Sequence, residues 1–186
     1  PEAQITIAEI GTKYQFGQFT VTLIESRHAP LATNSGIDGR VTKPFELPAP
    51  YTAWQLGKSY SILIEHAEGR MLIQGSAGFL PGALKDMRVD VVFLGVGGLK
   101  SLSKDYQVDY INEVVKLLNP SLVIPIHYDD LFGDYGEVRQ NPLMLEFDRS
   151  WAMLLTSLVH PAQLRQMRFA EAVAIFNEVE NSIRLP

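Results

Sequence analysis

Apolar positions along this chain fall into short dense runs separated by polar and glycine-rich breaks. Two of the densest are Val89-Asp90-Val91-Val92-Phe93-Leu94 and Leu122-Val123-Ile124-Pro125-Ile126. Continuous runs of branched residues this short predict strands buried on both faces of an α/β sheet. Between them Val108, Ile111, Val114, Val115 and Leu118 recur at helical spacing, with Asp105 or Asp109 as the expected cap and Asn119-Pro120 as the stop. Strand, helix and strand in that order predict a parallel crossover from Val91 to Ile126.

Upstream the pattern is antiparallel. Ile5, Ile7 and Ala8-Glu9-Ile10 alternate apolar with polar, Gly11-Thr12-Lys13 supplies a turn, and Tyr14-Gln15-Phe16-Gly17 leads into the run from Phe19 to Ile24. Two or three strands are expected there. Tyr60 to Glu65 and Met71 to Gln74 flank the Ala67-Glu-Gly-Arg70 turn and predict a hairpin. A short helix is expected from Pro81 to Met87 and a longer one from Leu145 to Val159, where Phe147, Trp151, Leu154, Leu155 and Leu158 share a face. Periodicity does not choose between helix and strands from Leu164 to Ile183. From about Leu31 to Lys58, Pro44, Pro48, Pro50, Gly36 and Gly39 exclude a regular helix. A loop of that length is a lid, a binding loop or a surface insertion. With no repeat, linker or low-complexity tract, residues 1–186 are expected to form a single domain, whole or partial.

The strand ends carry the candidate chemistry. His127 follows its buried run directly, with Tyr128, Asp129 and Asp130 behind it. Ligands of open α/β sheets gather outside strand ends, where an imidazole serves as a metal ligand or an acid/base. His28, in Glu25-Ser26-Arg27-His28-Ala29-Pro30, stands just past another β-rich run, and Gly75-Ser76-Ala77-Gly78 follows a third. Glycines at a strand end let backbone approach closely. A purely structural role is the competing reading for both histidines. His66, at the hairpin turn, and His160, before Pro161, read as surface or capping residues.

Composition narrows the field. With 186 residues, 46% of them hydrophobic, the chain is long enough to bury a sizeable core. A net charge of -5 without a basic run argues against a nucleic-acid partner. Cysteine is absent, which removes thiolate ligands and nucleophiles and leaves the compartment open, with a cytoplasmic location as the default expectation. No apolar run approaches the roughly 20 residues of a membrane span. Ser26, Ser76 and Ser103 lack a nucleophile elbow, and Gly95-Val96-Gly97-Gly98 lacks the Lys-Ser/Thr of a phosphate loop.

The ordered set of His28, Gly75-Ser76-Ala77-Gly78, the Asp90 to Gly98 strand and loop, and Pro125-Ile126-His127-Tyr128 resembles the metallo-β-lactamase superfamily. The likeness is to its L-ascorbate-lactonase-like and phospholipase-D-like hydrolases, and it runs from roughly Ile5 to Phe132. It implies an α/β fold, the C-terminal part of a four-layer αββα sandwich. It also implies one or two divalent metal ions, commonly zinc, and metal-activated water acting on an ester, lactone or phosphodiester bond of a small-molecule substrate. Imidazole and carboxylate suit zinc, which lowers the pKa of its water to about 7. On this resemblance His28 and His127 are metal ligands, Ser76 occupies the place of the family's bridging Asp, and Tyr128 orients substrate or stabilises developing charge. Asp129, Asp130 and Asp38 are acids that could compensate for the missing carboxylate.

Two departures stand out. The family's His-x-His-x-Asp-His motif is absent, since the four histidines lie at 28, 66, 127 and 160. An N-terminal half outside this chain is therefore expected, with association of that half or of a second copy to cover an exposed sheet face. Ser76, in turn, brings no negative charge to hold metal ions. This supports the alternative of a non-catalytic protein with a degraded metal site, acting as a binding or scaffolding module.

Overall fold

A computed structural model describes residues 5–30, 37, 39–128, 152, 154, 156, 163–167 and 172–176. Seven strands lie side by side in sequence order: β1 (Lys13–Phe16), β2 (Phe19–Ser26), β3 (Ser59–His66), β4 (Gly69–Gln74), β5 (Val91–Gly95), β6 (Leu122–Ile126) and β7 (Gln163–Leu164). Pairing is antiparallel from β1 to β4, with tight turns joining β1 to β2 and β3 to β4 and the long loop joining β2 to β3, and it is parallel from β4 to β7. Helix α1 (Lys104–Ile111) and the π-helical turn Asn112–Lys116 form the crossover between β5 and β6. The branched runs at Val91 and Leu122 are thus central strands, as their composition predicts.

The larger core lies on one face of the sheet. Ile24, Leu63, Leu72, Val92, Leu94 and Val123 pack there against Tyr110, Ile111, Val114, Val115 and Leu118 of the crossover and against Leu154. Each fully buried aliphatic side chain of this kind contributes about 1.5–3 kcal/mol. On the opposite face Val91, Leu122 and Ile124 form a smaller cluster with Phe93, Ile126, Met167 and Phe176.

Several local expectations are corrected. The helix is capped by Ser103, whose hydroxyl accepts the Tyr106 N–H at 3.3 Å, rather than by Asp105 or Asp109. Asp105 instead lies in the first turn, where its charge suits the helix dipole. Pro81 to Met87 is a series of turns, because Gly82 and Asp86 take left-handed φ values of 75° and 64°. Residues 5–9 form no strand: left-handed Gly11 reverses the chain and donates to Leu23 O at 2.8 Å, leaving the alternation no neighbour to register against. In the long loop Tyr51–Ala53 makes a 3-10 turn, and Phe45 meets Trp54 edge to face at 4.7 Å.

Strand β7 reaches Leu164, the first residue of the undecided tail, in which residues 175 and 176 are helical, and the described residues 152, 154 and 156 are helical as expected. Residues 31–36, Asp38, Asp129, Asp130 and His160 lie outside the described residues. Among the described residues no helix is long and apolar enough to cross a membrane.

Candidate functional site

Because β2 and β4 both run antiparallel to β3, and β4, β5 and β6 run parallel, four strands end at one edge. The loops after Ser26, Gln74, Gly95 and Ile126 therefore meet there. His28, Ser76 and His127 belong to three of these loops.

One side-chain hydrogen bond and three close glycine approaches link the loops. The Ser76 hydroxyl accepts the Ala29 N–H at 2.9 Å. A Cβ on Gly78 would lie 2.6 Å from Ala29 N and would also strike Arg27 O and the His28 carbonyl carbon. A Cβ on Gly95 would lie 2.8 Å from Ser76 N, and one on Gly97 would lie 2.6 Å from His127 O and 2.8 Å from its Cδ2. Contact thus passes from the His28 loop through the Ser76 loop and Gly95 to Gly97 and His127. The small residues read in the sequence as tight loops are what permit this approach.

His28 is half-buried, with Nδ1 3.1 Å from Ala29 O. In the tautomer where Nδ1–H donates to this carbonyl, Nε2 carries the lone pair, an arrangement that suits a ligating imidazole. His127 is exposed and takes a left-handed φ of 58°, which is uncommon outside glycine. Its position is fixed from the neighbouring loop by the Val96 N–H, which donates to Ile126 O at 3.0 Å. Tyr128 is half-buried against the main core.

A buried polar layer beneath the edge was missed from sequence. Gln74 is 1% exposed. Its Nε2 donates to Gly78 O at 2.7 Å, Ser76 O at 3.2 Å and Ser26 Oγ at 3.2 Å, while its Oε1 accepts from Ser61 Oγ. One carboxamide therefore joins the ends of β2 and β4 to the loop above them. The available signal was a polar residue at the core-facing end of Leu72-Ile73-Gln74, just before Gly75.

The crossover helix supports the same loops. Tyr110 donates its hydroxyl to Gly95 O at 2.7 Å and to Ser76 O at 3.3 Å, and Tyr106 donates to Ala77 O at 3.2 Å. Burial raises the Tyr110 pKa well above the usual tyrosine value, and neighbouring Tyr106 raises it further. Burial also raises that of Tyr106. Both phenols are held in the protonated form that donates to carbonyls.

The donor set is incomplete for a metal. No group of three or more His, Cys, Asp or Glu side chains comes together among the described residues, whereas a catalytic zinc site takes three protein ligands and water. Among the described residues the loops at this edge bring two imidazoles, and Ser76 is engaged with Ala29. His66 is tied to the hairpin: Nδ1 accepts the Glu68 N–H at 3.2 Å, and Nε2 lies 3.1 Å from Gln18 Oε1. This fits the capping role expected of it.

No protein-family model and no curated protein matches the sequence. Among solved structures the chain is similar to a proposed metal-dependent hydrolase from Parabacteroides distasonis, with a TM-score of 0.50 and 11% identity over 90% of this chain and 59% of that one. It is also similar to a proposed zinc-dependent hydrolase of the metallo-β-lactamase superfamily from Thermotoga maritima, with a TM-score of 0.43 and 17% identity over 79% of this chain and 57% of that one. The chain thus spans less than two thirds of each neighbour. At these identities the likeness is one of fold, and it is the mixed α/β fold to which the ordered sequence motifs pointed.

Proposed function

We propose that this chain is the histidine-bearing part of a metal-dependent hydrolase acting on an ester, lactone or phosphodiester bond of a small molecule. The observation that carries the reading is the convergence of the His28 and His127 loops on one strand edge through Ser76, Gly78, Gly95 and Gly97. His28 and His127 are the ligands this chain contributes. The carboxylate and remaining ligands come from outside the described residues, with Asp129 the nearest in sequence, and no catalytic step is assigned to the described residues alone. Metal analysis of the intact protein after exposure to zinc, cobalt or manganese tests the reading. Stoichiometric uptake that falls in His28→Ala and in His127→Ala supports it, and no uptake with both histidines intact overturns it.

A second reading rests on Ser76, whose hydroxyl acts as a loop clamp at the place where the resemblance calls for Asp. Here the protein keeps the fold as a binding or scaffolding module without a working metal centre. Ser76→Asp separates the two: metal uptake rises if the rest of the site is competent and stays flat if it is not. In either reading the sheet face bearing Val21, Leu23, Ile62, Ile64 and Ile73, half-buried among the described residues, takes a partner sheet or a second copy.

A further inference from the structure

At the end of the strands opposite His28 and His127, on the face that carries the larger core, β1 to β4 form a groove of about 340 Å³. Its walls are largely apolar and include Ile24, Leu63 and Met87. Register places Lys13, Thr22 and Leu63 in one row across β1, β2 and β3, with Glu65 and Arg70 paired in the next.

Two buried side-chain polar atoms among the described residues lack a hydrogen-bond partner, Thr22 Oγ1 and Arg70 Nε, and both residues line this groove. Thr22 is 7% exposed, so water does not readily satisfy its hydroxyl. Arg70 Nε lies 3.1 Å from Glu65 Oε1 but off the line of a hydrogen bond, while Lys13 Nζ lies 3.1 Å from Glu65 Oε2. Two cations share one carboxylate, which leaves one net positive charge beside an apolar trough. Native proteins rarely leave buried donors without partners, and such atoms in a concave site point to a ligand that completes them.

We propose that this groove binds a small amphipathic monocarboxylate. Its headgroup lies between Lys13 and Arg70, over the Thr22 side chain that lines the groove, and its aliphatic chain lies along Ile24, Leu63 and Met87. A monoanion matches the single uncompensated charge, and its chain matches the apolar walls. Glu65 holds the cations in the empty state and competes with the incoming headgroup. The inference stands apart from the histidine edge and does not depend on metal.

Octanoate titrated into the intact protein, followed by calorimetry and by chemical shifts, is the test, with octanol as the uncharged analogue. The expected result is saturable octanoate binding, several-fold tighter in Glu65→Gln and several-fold weaker in Thr22→Val and for octanol. Thr22→Val preserves shape, and thermal melting checks that each variant is folded. Absence of saturable binding, equal binding of octanol, or affinity unmoved by both substitutions overturns the proposal.

Discussion

The hydroxyl of Ser76 accepts the backbone N–H of Ala29 at 2.9 Å, closing a separation of 47 residues with one hydrogen bond. It joins the loop after β4 to the loop after β2 across the start of β3, and it holds His28 on the edge that His127 shares. Ala29 is 2% exposed, so its N–H has little recourse to water. Where the family resemblance called for a charge, this chain has a clamp.

Ser76→Ala is therefore expected to destabilise the protein by about 1–3 kcal/mol, the cost of leaving a buried amide without its acceptor. Ser76→Asp keeps an acceptor in place and should cost less. Urea denaturation midpoints of the two variants check the ordering. Equal loss in both, or none in either, would mean that the hydroxyl is not what joins the loops.

Gln74→Leu is the larger insult. It preserves side-chain volume but strands the Ser26 and Ser61 hydroxyls and the Gly78 carbonyl at once, and it leaves Ser76 O with the Tyr110 hydroxyl alone. A loss of about 3 kcal/mol or more is expected, at the high end for single substitutions. Hydrogen exchange should show the 75–79 loop losing protection ahead of the sheet.

What was legible in the sequence follows a physical division. Branched runs, helical spacing and glycine pairs report local requirements, so β5, β6, the crossover and the tight loops were readable, as was His127 at a strand end. Gln74 and Tyr110 act through partners far away in sequence, and a buried polar side chain looks like an exception until those partners are known. The Ser103 cap was obscured by two nearby aspartates with equal claims. The turns from Pro81 to Met87 were hidden because left-handed Asp86 is a choice that sequence rarely announces. No metal site is defined by the described residues, which bring together no group of three or more His, Cys, Asp or Glu side chains.

Stability should fall at alkaline pH through Tyr110. Its folded pKa is raised by burial and then by Tyr106, so the folded state holds the proton more tightly than the unfolded chain, whose value is about 10. The contribution is intact below that unfolded value and is lost as pH rises above it toward the folded one. Denaturation midpoints between about pH 8 and pH 11 should decline in the parent protein and decline less steeply in Tyr110→Phe, where Tyr106, also raised by burial, still contributes. The variant starts lower because it loses the hydrogen bond to Gly95 O. An unchanged alkaline slope in Tyr110→Phe would assign the decline to another group.

Gly78 and Gly97 both crowd a neighbouring loop, yet their alanine variants should differ. The methyl of Gly78→Ala meets the backbone of Arg27, His28 and Ala29, which cannot rotate away. Overpacking against fixed atoms costs about 1–3 kcal/mol and should displace His28 with its loop. In Gly97→Ala the nearest atom, the His127 carbonyl oxygen at 2.6 Å, is also backbone, but the other two belong to the exposed His127 imidazole. Gly97→Ala should therefore cost less stability and act mainly on the ring. Histidine NMR resonances separate the two: Gly78→Ala should move His28 and lower the melting temperature more, whereas Gly97→Ala should move His127. If each variant perturbed both histidines equally, the edge would behave as one rigid unit, and the contact path through Ser76 and Gly95 would be tighter than the individual contacts require.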